Sequence, residues 1–267
     1  MPESFLEALL RRDRVVVIGG LALVTVLAWA YLLGLAATMD DMSGTAMGAT
    51  SAAASMSPEL RAWTGRDFVF MFLMWAVMMV AMMVPSASPM ILLHAKVNRQ
   101  QGDAGAARLG TAAFTLGYLL AWTGFSAVAT LLQWGLERLA LLSPMMASTS
   151  VLLGAGVLLA AGIYQLTPLK AACLAHCRSP LHFVMHHWRR GTRGALVMGL
   201  DHGIYCIGCC WFLMALLFVG GVMNLLWIAG LTVLVLLEKV VPRGELVART
   251  AGVGLLVAGG LLLVRAF

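Results

Sequence analysis

Long apolar runs separated by short polar segments make up most of this chain. Seven runs predict helices, at about residues 15–37, 68–92, 110–134, 146–167, 195–218, 220–237 and 251–265. Most approach the roughly 20 residues that an α-helix needs to cross a bilayer. The pattern does not alternate as in a transmembrane barrel, and helices satisfy their own backbone hydrogen bonds. It therefore predicts an all-α polytopic transmembrane helix bundle of seven helices, with one integral membrane domain over residues 1–267.

Composition and charge support this prediction and add an orientation. The chain is 61% hydrophobic and only 11% charged, with a mean hydropathy of +0.91, which excludes an ordinary soluble domain. Arg11, Arg12 and Arg14 precede a first run that is too long for a signal peptide and predicts a signal anchor. With the N-terminus in the cytoplasm, fourteen of the 18 Lys and Arg fall on the cytoplasmic side. The longest outside loop is then about 38–66, and the net charge of +6 marks sidedness, not nucleic-acid binding.

The fifth predicted helix carries the most informative motif. Its sequence from Asp201 to Cys210 reads DHGIYCIGCC. At about 100° per residue, His202, Cys206 and Cys209 fall within a wedge of roughly 60°, and Cys210 flanks it. Cys206 is expected roughly 18 Å into the span. Imidazole and thiols on one face form a ligand set for Cu(I) or Zn(II). Asp201 is predicted to orient His202 or a neighbouring ligand by accepting a hydrogen bond from it. The alternative is that the cysteines are small buried packing residues.

The loop before this helix contains a second group of possible ligands. Thr167-Pro168 predicts a capped helix that places Cys173 and Cys177 four residues apart on one face, with His176 beside them. Ser179-Pro180 predicts another short helix, which carries three further histidines: His182, His186 and His187. In a reducing compartment these cysteines are not expected to form a disulfide. The loop is either a metal site or a solvated segment near the headgroups.

The second predicted helix is rich in methionine. Met71, Met74, Met78 and Met82 fall within about 80° of one face, and thioethers are soft donors suited to Cu(I). Met78 and Met82 are the predicted ligands from this helix, although methionine also fills helix interfaces. Pro85 is predicted to free the carbonyl of the residue four positions earlier and to kink the helix.

Three ordered blocks within residues 68–245 carry a resemblance to a known family. The first contains Met74-Trp75, Met78-Met79, Ala81-Met82-Met83 and Pro85-Ser86. The second contains Tyr164-Gln165, Thr167-Pro168-Leu169-Lys170, Cys173-Leu174, Cys177-Arg178 and Ser179-Pro180. The third contains Gly203, Tyr205-Cys206, Gly208-Cys209-Cys210-Trp211, Met223-Asn224, Glu238-Lys239 and Pro242. Together they resemble the bacterial family of predicted metal-binding integral membrane proteins, a domain of unknown function. The resemblance implies a multi-pass protein of the bacterial cytoplasmic (inner) membrane and points to the five cysteines.

The favoured hypothesis is a membrane protein, rather than an enzyme, that transports, delivers or buffers a soft metal. Cu(I) is favoured over Zn(II), with the lipid bilayer, the metal ion and a metal chaperone or partner membrane protein as expected partners. The sequence contains no ATP-binding motif, so any transport would be passive, ion-coupled or dependent on a partner. A membrane thiol–disulfide oxidoreductase using Cys206-x-x-Cys209 is the alternative. Haem ligation by His202 with His94 or His176 is a third hypothesis.

Overall fold

The computed structural model describes residues 3–48, 63–101, 104–142 and 149–266, and its regular elements there are α-helices. The helices in chain order are α1 (Glu3–Gly48), α2 (Gly65–Gln101), α3 (Ala104–Arg138), α4 (Val151–Gln165), α5 (Pro168–Arg178), α6 (Pro180–His187), α7 (Gly191–Ala215), α8 (Leu217–Gly220), α9 (Leu225–Val240) and α10 (Gly244–Ala266). The all-α prediction is confirmed.

Among the residues that the structure describes, fewer than the predicted seven helices are long and apolar enough to span a membrane. In the described part of the chain, five helices are long and apolar enough. They are Val15–Thr38, Gly65–Gln100, Gly105–Arg138, Gly191–Gly220 and Gly244–Ala266. A sixth is obtained if α4 and α5, which meet at a 65° bend, form one broken span. The predicted sixth run, 220–237, corresponds to α9, whose 16 residues reach only about 24 Å.

The predicted outside loop is shorter than expected, because α1 continues to Gly48. Residues 38–48 of the predicted loop are therefore helical. The central part of that loop, residues 49–62, lies outside the described residues.

Helix α2 continues through Pro85, and a neighbouring helix uses the carbonyl that the proline releases. A proline has no N–H to donate to the residue four positions earlier. The indole Nε1 of Trp29 on α1 donates instead to the carbonyl of Ala81, at 3.2 Å. This predicted free carbonyl thus becomes an anchor between α1 and α2.

A tight turn separates α8 from α9 and replaces the start of the predicted helix at 220–237. Gly221 has φ of +93°, a conformation that residues with a β-carbon rarely adopt. Asn224 then caps α9, since its side chain accepts a hydrogen bond from the backbone N–H of Trp227 at 3.2 Å. The cap sets the start of α9 at Leu225, and the helix ends at Val240.

Helices α3 and α7 form the most extensive packing pair of the fold. They cross closely because glycines stand at the crossing. A β-carbon on Gly199 would lie 1.9 Å from the carbonyl oxygen of Phe114, and one on Gly117 would lie 2.0 Å from that of Leu196. Helix α2 packs on α3, and α5 packs on α7. Helix α9 contacts both α2 and α5, and α4 packs on α10. The close α3–α7 crossing determines which side chains of α3 reach the cysteines of α7.

Candidate metal site

The predicted ligands of α7 all face the interior of the protein. His202, Cys206, Cys209 and Cys210 are each no more than 2% exposed. Asp201 is half-buried. The helical period predicted this shared face, and packing against α3 and α5 buries it.

Cys206 lies at the meeting point of four helices. Its Sγ is 2.8 Å from Nζ of Lys239 on α9 and 3.1 Å from the hydroxyl oxygen of Tyr118 on α3. The Tyr118 hydroxyl also donates to the carbonyl of Met83 on α2, at 3.2 Å. Lys239 Nζ donates to Ser86 Oγ, also on α2, at 3.2 Å. The sulfur of Cys206 is therefore held in place by α3 and α9, both of which are anchored on α2.

The contact between Lys239 and Cys206 has the character of an ion pair. A buried ammonium is costly unless an anion or a set of acceptors meets it. The neighbouring Glu238 carboxylate is already bonded to Lys170, with a distance of 2.6 Å between Nζ and Oε2. Cys206 is thus the acidic group that meets Lys239, and in its thiolate form it would neutralise the lysine charge.

The structure also brings a cysteine of α5 to the α7 thiols. Cys177 Sγ lies 3.9 Å from Cys209 Sγ, and both side chains are buried. Cys173 Sγ lies beside Gly208, 3.0 Å from where a β-carbon would stand on that glycine. The loop cysteines were predicted to lie in a cytoplasmic loop, apart from the thiols of α7. Instead, α5 packs against α7 and the two predicted groups adjoin each other.

Capping and one buried ion pair place α5 in this position. Thr167 Oγ1 accepts from the backbone N–H of Lys170 at 3.2 Å, which confirms the predicted cap. The Lys170 side chain then reaches Glu238 on α9, and both are 1% exposed. Gln165 Nε2 donates to the other carboxylate oxygen at 2.6 Å. These bonds tie α4, α5 and α9 together. The predicted cap at Ser179 differs, because the Ser179 side chain makes no capping hydrogen bond.

Two thiols of α7 are oriented by the helix itself. The Sγ of Cys209 donates to the Cys206 carbonyl at 3.1 Å, and the Sγ of Cys210 donates to the same carbonyl at 2.9 Å. Besides this carbonyl, Cys209 has the sulfur of Cys177 as a neighbour. Cys210 therefore differs from Cys209 in its surroundings, although both are buried.

His202 has a nitrogen available for a ligand. Its Nδ1 is buried and has no hydrogen-bond partner, so Asp201 does not bond to it. The ring lies among aromatic rings, with its centroid 5.7 Å from that of Tyr118 and 5.4 Å from that of Phe183. An unpaired buried nitrogen beside soft sulfur donors fits the requirements of Cu(I) or another thiophilic cation. Within the described residues, however, no three His, Cys, Asp or Glu side chains already surround a common metal position.

The methionines of α2 form part of the core around this site. Met78 and Met82 are fully buried. Helix α2 contacts the Cys206 environment through the Met83 carbonyl and through Ser86. Met78 and Met82 therefore remain predicted ligands whose thioethers lie in the same hydrophobic core.

Sequence reasoning assigned no role to Lys239 or Tyr118. The sequence does indicate a role for Lys239, because a lysine beside a glutamate in an apolar helix is costly and usually functional. Tyr118 gave no such signal, because a tyrosine in an apolar helix is unremarkable. Its role follows only from the α3–α7 crossing.

Comparison with known proteins places this geometry in a family context. No curated protein matches the chain. No solved structure matches it either. A family model described as PpoB2, copper chaperone, matches residues 72–262, which include α3 to α9 and most of α2 and α10. This agrees with the resemblance to a metal-related bacterial family and supports a copper-related function. The chain belongs to the PpoB2 copper chaperone family.

Proposed function

We propose that this protein is a multi-pass protein of the bacterial cytoplasmic membrane that binds Cu(I) as cargo and passes it to an acceptor protein. Five long apolar helices are compatible with membrane insertion, and the family match supports copper. The N-terminus is proposed to be cytoplasmic because of the distribution of Lys and Arg. Both the membrane and the acceptor are inferences beyond the family match.

The distance between Cys177 and Cys209 carries this proposal. Cu(I) accepts two or three soft ligands, and metal–sulfur bonds are about 2.3 Å long. Two sulfurs bound to one ion are therefore about 4 Å apart at an angle of about 120° and about 4.6 Å apart on opposite sides of the ion. The observed separation of 3.9 Å needs only a small outward movement of either side chain. Zn(II) prefers four ligands, so the pair favours Cu(I).

Lys239 and the remaining donors have supporting roles in this proposal. Two thiolates and one Cu(I) together carry a single negative charge. The ammonium of Lys239, which is paired with Cys206, stabilises this charge in a medium of low dielectric constant without cancelling it. Cys206 supplies a third thiolate for exchange, and the unpaired nitrogen of His202 is a further donor. Met78 and Met82 offer soft thioethers for transient binding. Asp201 and Cys173 lie at the edge of this set.

Copper handling is favoured over the oxidoreductase alternative. The family match is to a copper chaperone and gives no support to redox catalysis. Delivery also agrees with a sequence that lacks an ATP-binding motif, because release then depends on a partner with higher affinity.

The test is Cu(I) binding to purified protein in detergent under anaerobic, reducing conditions, with a chromophoric chelator as competitor. We expect Cys177→Ser and Cys209→Ser each to lower the affinity for the first equivalent by at least tenfold, because a hydroxyl is a poor ligand for Cu(I). Cys210→Ser is the matched control, since it removes a buried thiol from the same helix that has no partner on α5. Parent-like affinity in a folded Cys177→Ser variant would contradict the proposal.

A further inference from the structure

A group of histidines lies beside the thiols, on the two short helices α5 and α6. His176 is half-buried, whereas His182 and His186 are exposed. The ring centroids of His182 and His186 are 4.1 Å apart, and that of His176 is 6.4 Å from that of His182. His187 also lies 6.4 Å from His176. Four imidazoles thus gather on one exposed part of the protein.

Backbone hydrogen bonds determine which nitrogen each ring leaves available. The Nδ1 of His176 is 2.9 Å from the Ala172 carbonyl, and the Nδ1 of His186 is 2.9 Å from the His182 carbonyl. A carbonyl only accepts, so each Nδ1 carries the hydrogen and each Nε2 keeps its lone pair. The same arrangement orients histidines that bind metals in proteins. His176 and His186 can therefore each bind a metal ion through the lone pair of Nε2.

The spacing of the rings is close to that of imidazoles that share one ion, and one side-chain rotation separates the observed arrangement from it. A metal lies about 2 Å from a ligating nitrogen, so the centroids of two rings on one ion are about 5–6 Å apart. The observed 4.1 and 6.4 Å lie on either side of this range. His182 is exposed and takes part in both pairs, so rotation of its side chain alone adjusts both distances and leaves the Nδ1 hydrogen bonds of His176 and His186 in place. His187 is assigned no ligand role; its ring packs on Phe183, with centroids 4.6 Å apart, and it provides a control on the same helix.

The position of these rings connects them to the thiol pair. His176 precedes Cys177, whose sulfur is 3.9 Å from that of Cys209. The His176 ring also stacks on Tyr205, with centroids 4.3 Å apart, and Tyr205 precedes Cys206. The imidazoles are thus on the exposed side of α5 and α6, and the thiols of Cys177 and Cys209 are buried.

We propose that His176, His182 and His186 form a separate imidazole site that captures Cu(I) at the protein surface. Its role as a loading site for Cys177 rests on the proposed function. Loading is a ligand exchange: the bond from copper to Nε2 breaks, a bond to the Cys177 sulfur forms, and the thiol proton passes to the released imidazole. The oxidation state of copper does not change. Thiolates are softer than imidazoles, so transfer from the surface inward is favourable.

The test measures copper stoichiometry and ligand type in the full-length protein. Anaerobic titration with Cu(I) against a chromophoric chelator is expected to give two equivalents, with sulfur ligation of the first and nitrogen ligation of the second by X-ray absorption. The triple variant His176→Ala, His182→Ala, His186→Ala is expected to lose the second equivalent and to load the first at least tenfold more slowly. His187→Ala is the matched control on the same helix and is expected to keep both equivalents.

Two outcomes separate this inference from the proposed function. Two equivalents with unchanged nitrogen ligation in the triple histidine variant would overturn the imidazole site, whatever the thiols do. A Cys177→Ser, Cys209→Ser variant addresses the thiols alone, because it is expected to keep the nitrogen-ligated equivalent and lose the sulfur-ligated one. Loss of the second equivalent with an unchanged loading rate would confirm the site and overturn its loading role.

Discussion

The buried ion pair between Lys170 and Glu238 offers a sharp test of how α5 is held beside α7. Its two groups are 2.6 Å apart and 1% exposed, and they join the helix of Cys177 to the helix of Lys239. We expect Lys170→Met to leave the Glu238 carboxylate buried with Gln165 as its remaining polar partner. Removing one member of such a pair typically costs about 3–5 kcal/mol.

The expected shift in thermal stability is large enough to measure. For a chain of this size, each kcal/mol changes Tm by about 2–4 °C, so the single variant should unfold on the order of 10 °C lower. The double variant Lys170→Met, Glu238→Met removes both charges, and replacing a whole buried pair with apolar groups is often close to neutral. We therefore expect the double variant to regain most of the lost Tm.

The assay is thermal unfolding of purified protein in one detergent, followed by Cu(I) titration of each variant. The single variant should bind Cu(I) more weakly, because α5 is less firmly held and Cys177 spends less time near Cys209. A single variant with parent-like Tm would refute the reasoning. So would a double variant that is less stable than the single one, because the cost would then not arise from an unpaired charge.

Three further predictions concern the framework and the orientation. Gly199→Ala should lower Tm, because overpacking at the α3–α7 crossing typically costs about 1–3 kcal/mol. Gly124→Ala, on the open face of α3, should be neutral or stabilising. Equal Tm values for the two variants would contradict the close crossing. Cys206→Ser should lower Tm by leaving an ammonium buried without its anion, and adding Lys239→Met should restore it; no restoration would mean that the two groups are not an ion pair. A reporter fused at Gly191 should be active in the cytoplasm, and activity only in the periplasm would contradict the proposed orientation.

The sequence was sufficient to predict the all-α fold and the buried face of α7. Apolar runs and helical period depend on local sequence, so they predicted that His202, Cys206 and Cys209 share one side. The capped start of α5 at Thr167 and the carbonyl released by Pro85 were predictable for the same reason. These features depend on neighbours within one helical turn.

The partners of that face were not predictable, because they come from distant parts of the chain. Lys239 is 33 residues from Cys206, and Tyr118 is 88 residues away. Helical period shows which side of a helix is buried but not which helix covers it. Packing of α5 on α7 likewise joined two groups of cysteines that the sequence separated. The span count failed at α9 because Gly221 and Asn224 shorten that helix at its start.

The central claim is that one Cu(I) is held between Cys177 and Cys209. X-ray absorption on protein loaded with one equivalent of Cu(I) tests it most directly, with Cys177→Ser and Cys210→Ser measured alongside. The account predicts two or three sulfur ligands at about 2.2–2.3 Å in the parent and in Cys210→Ser, and loss of a sulfur ligand in Cys177→Ser. Nitrogen-dominated coordination of the first equivalent, or an unchanged sulfur shell in Cys177→Ser, would contradict it.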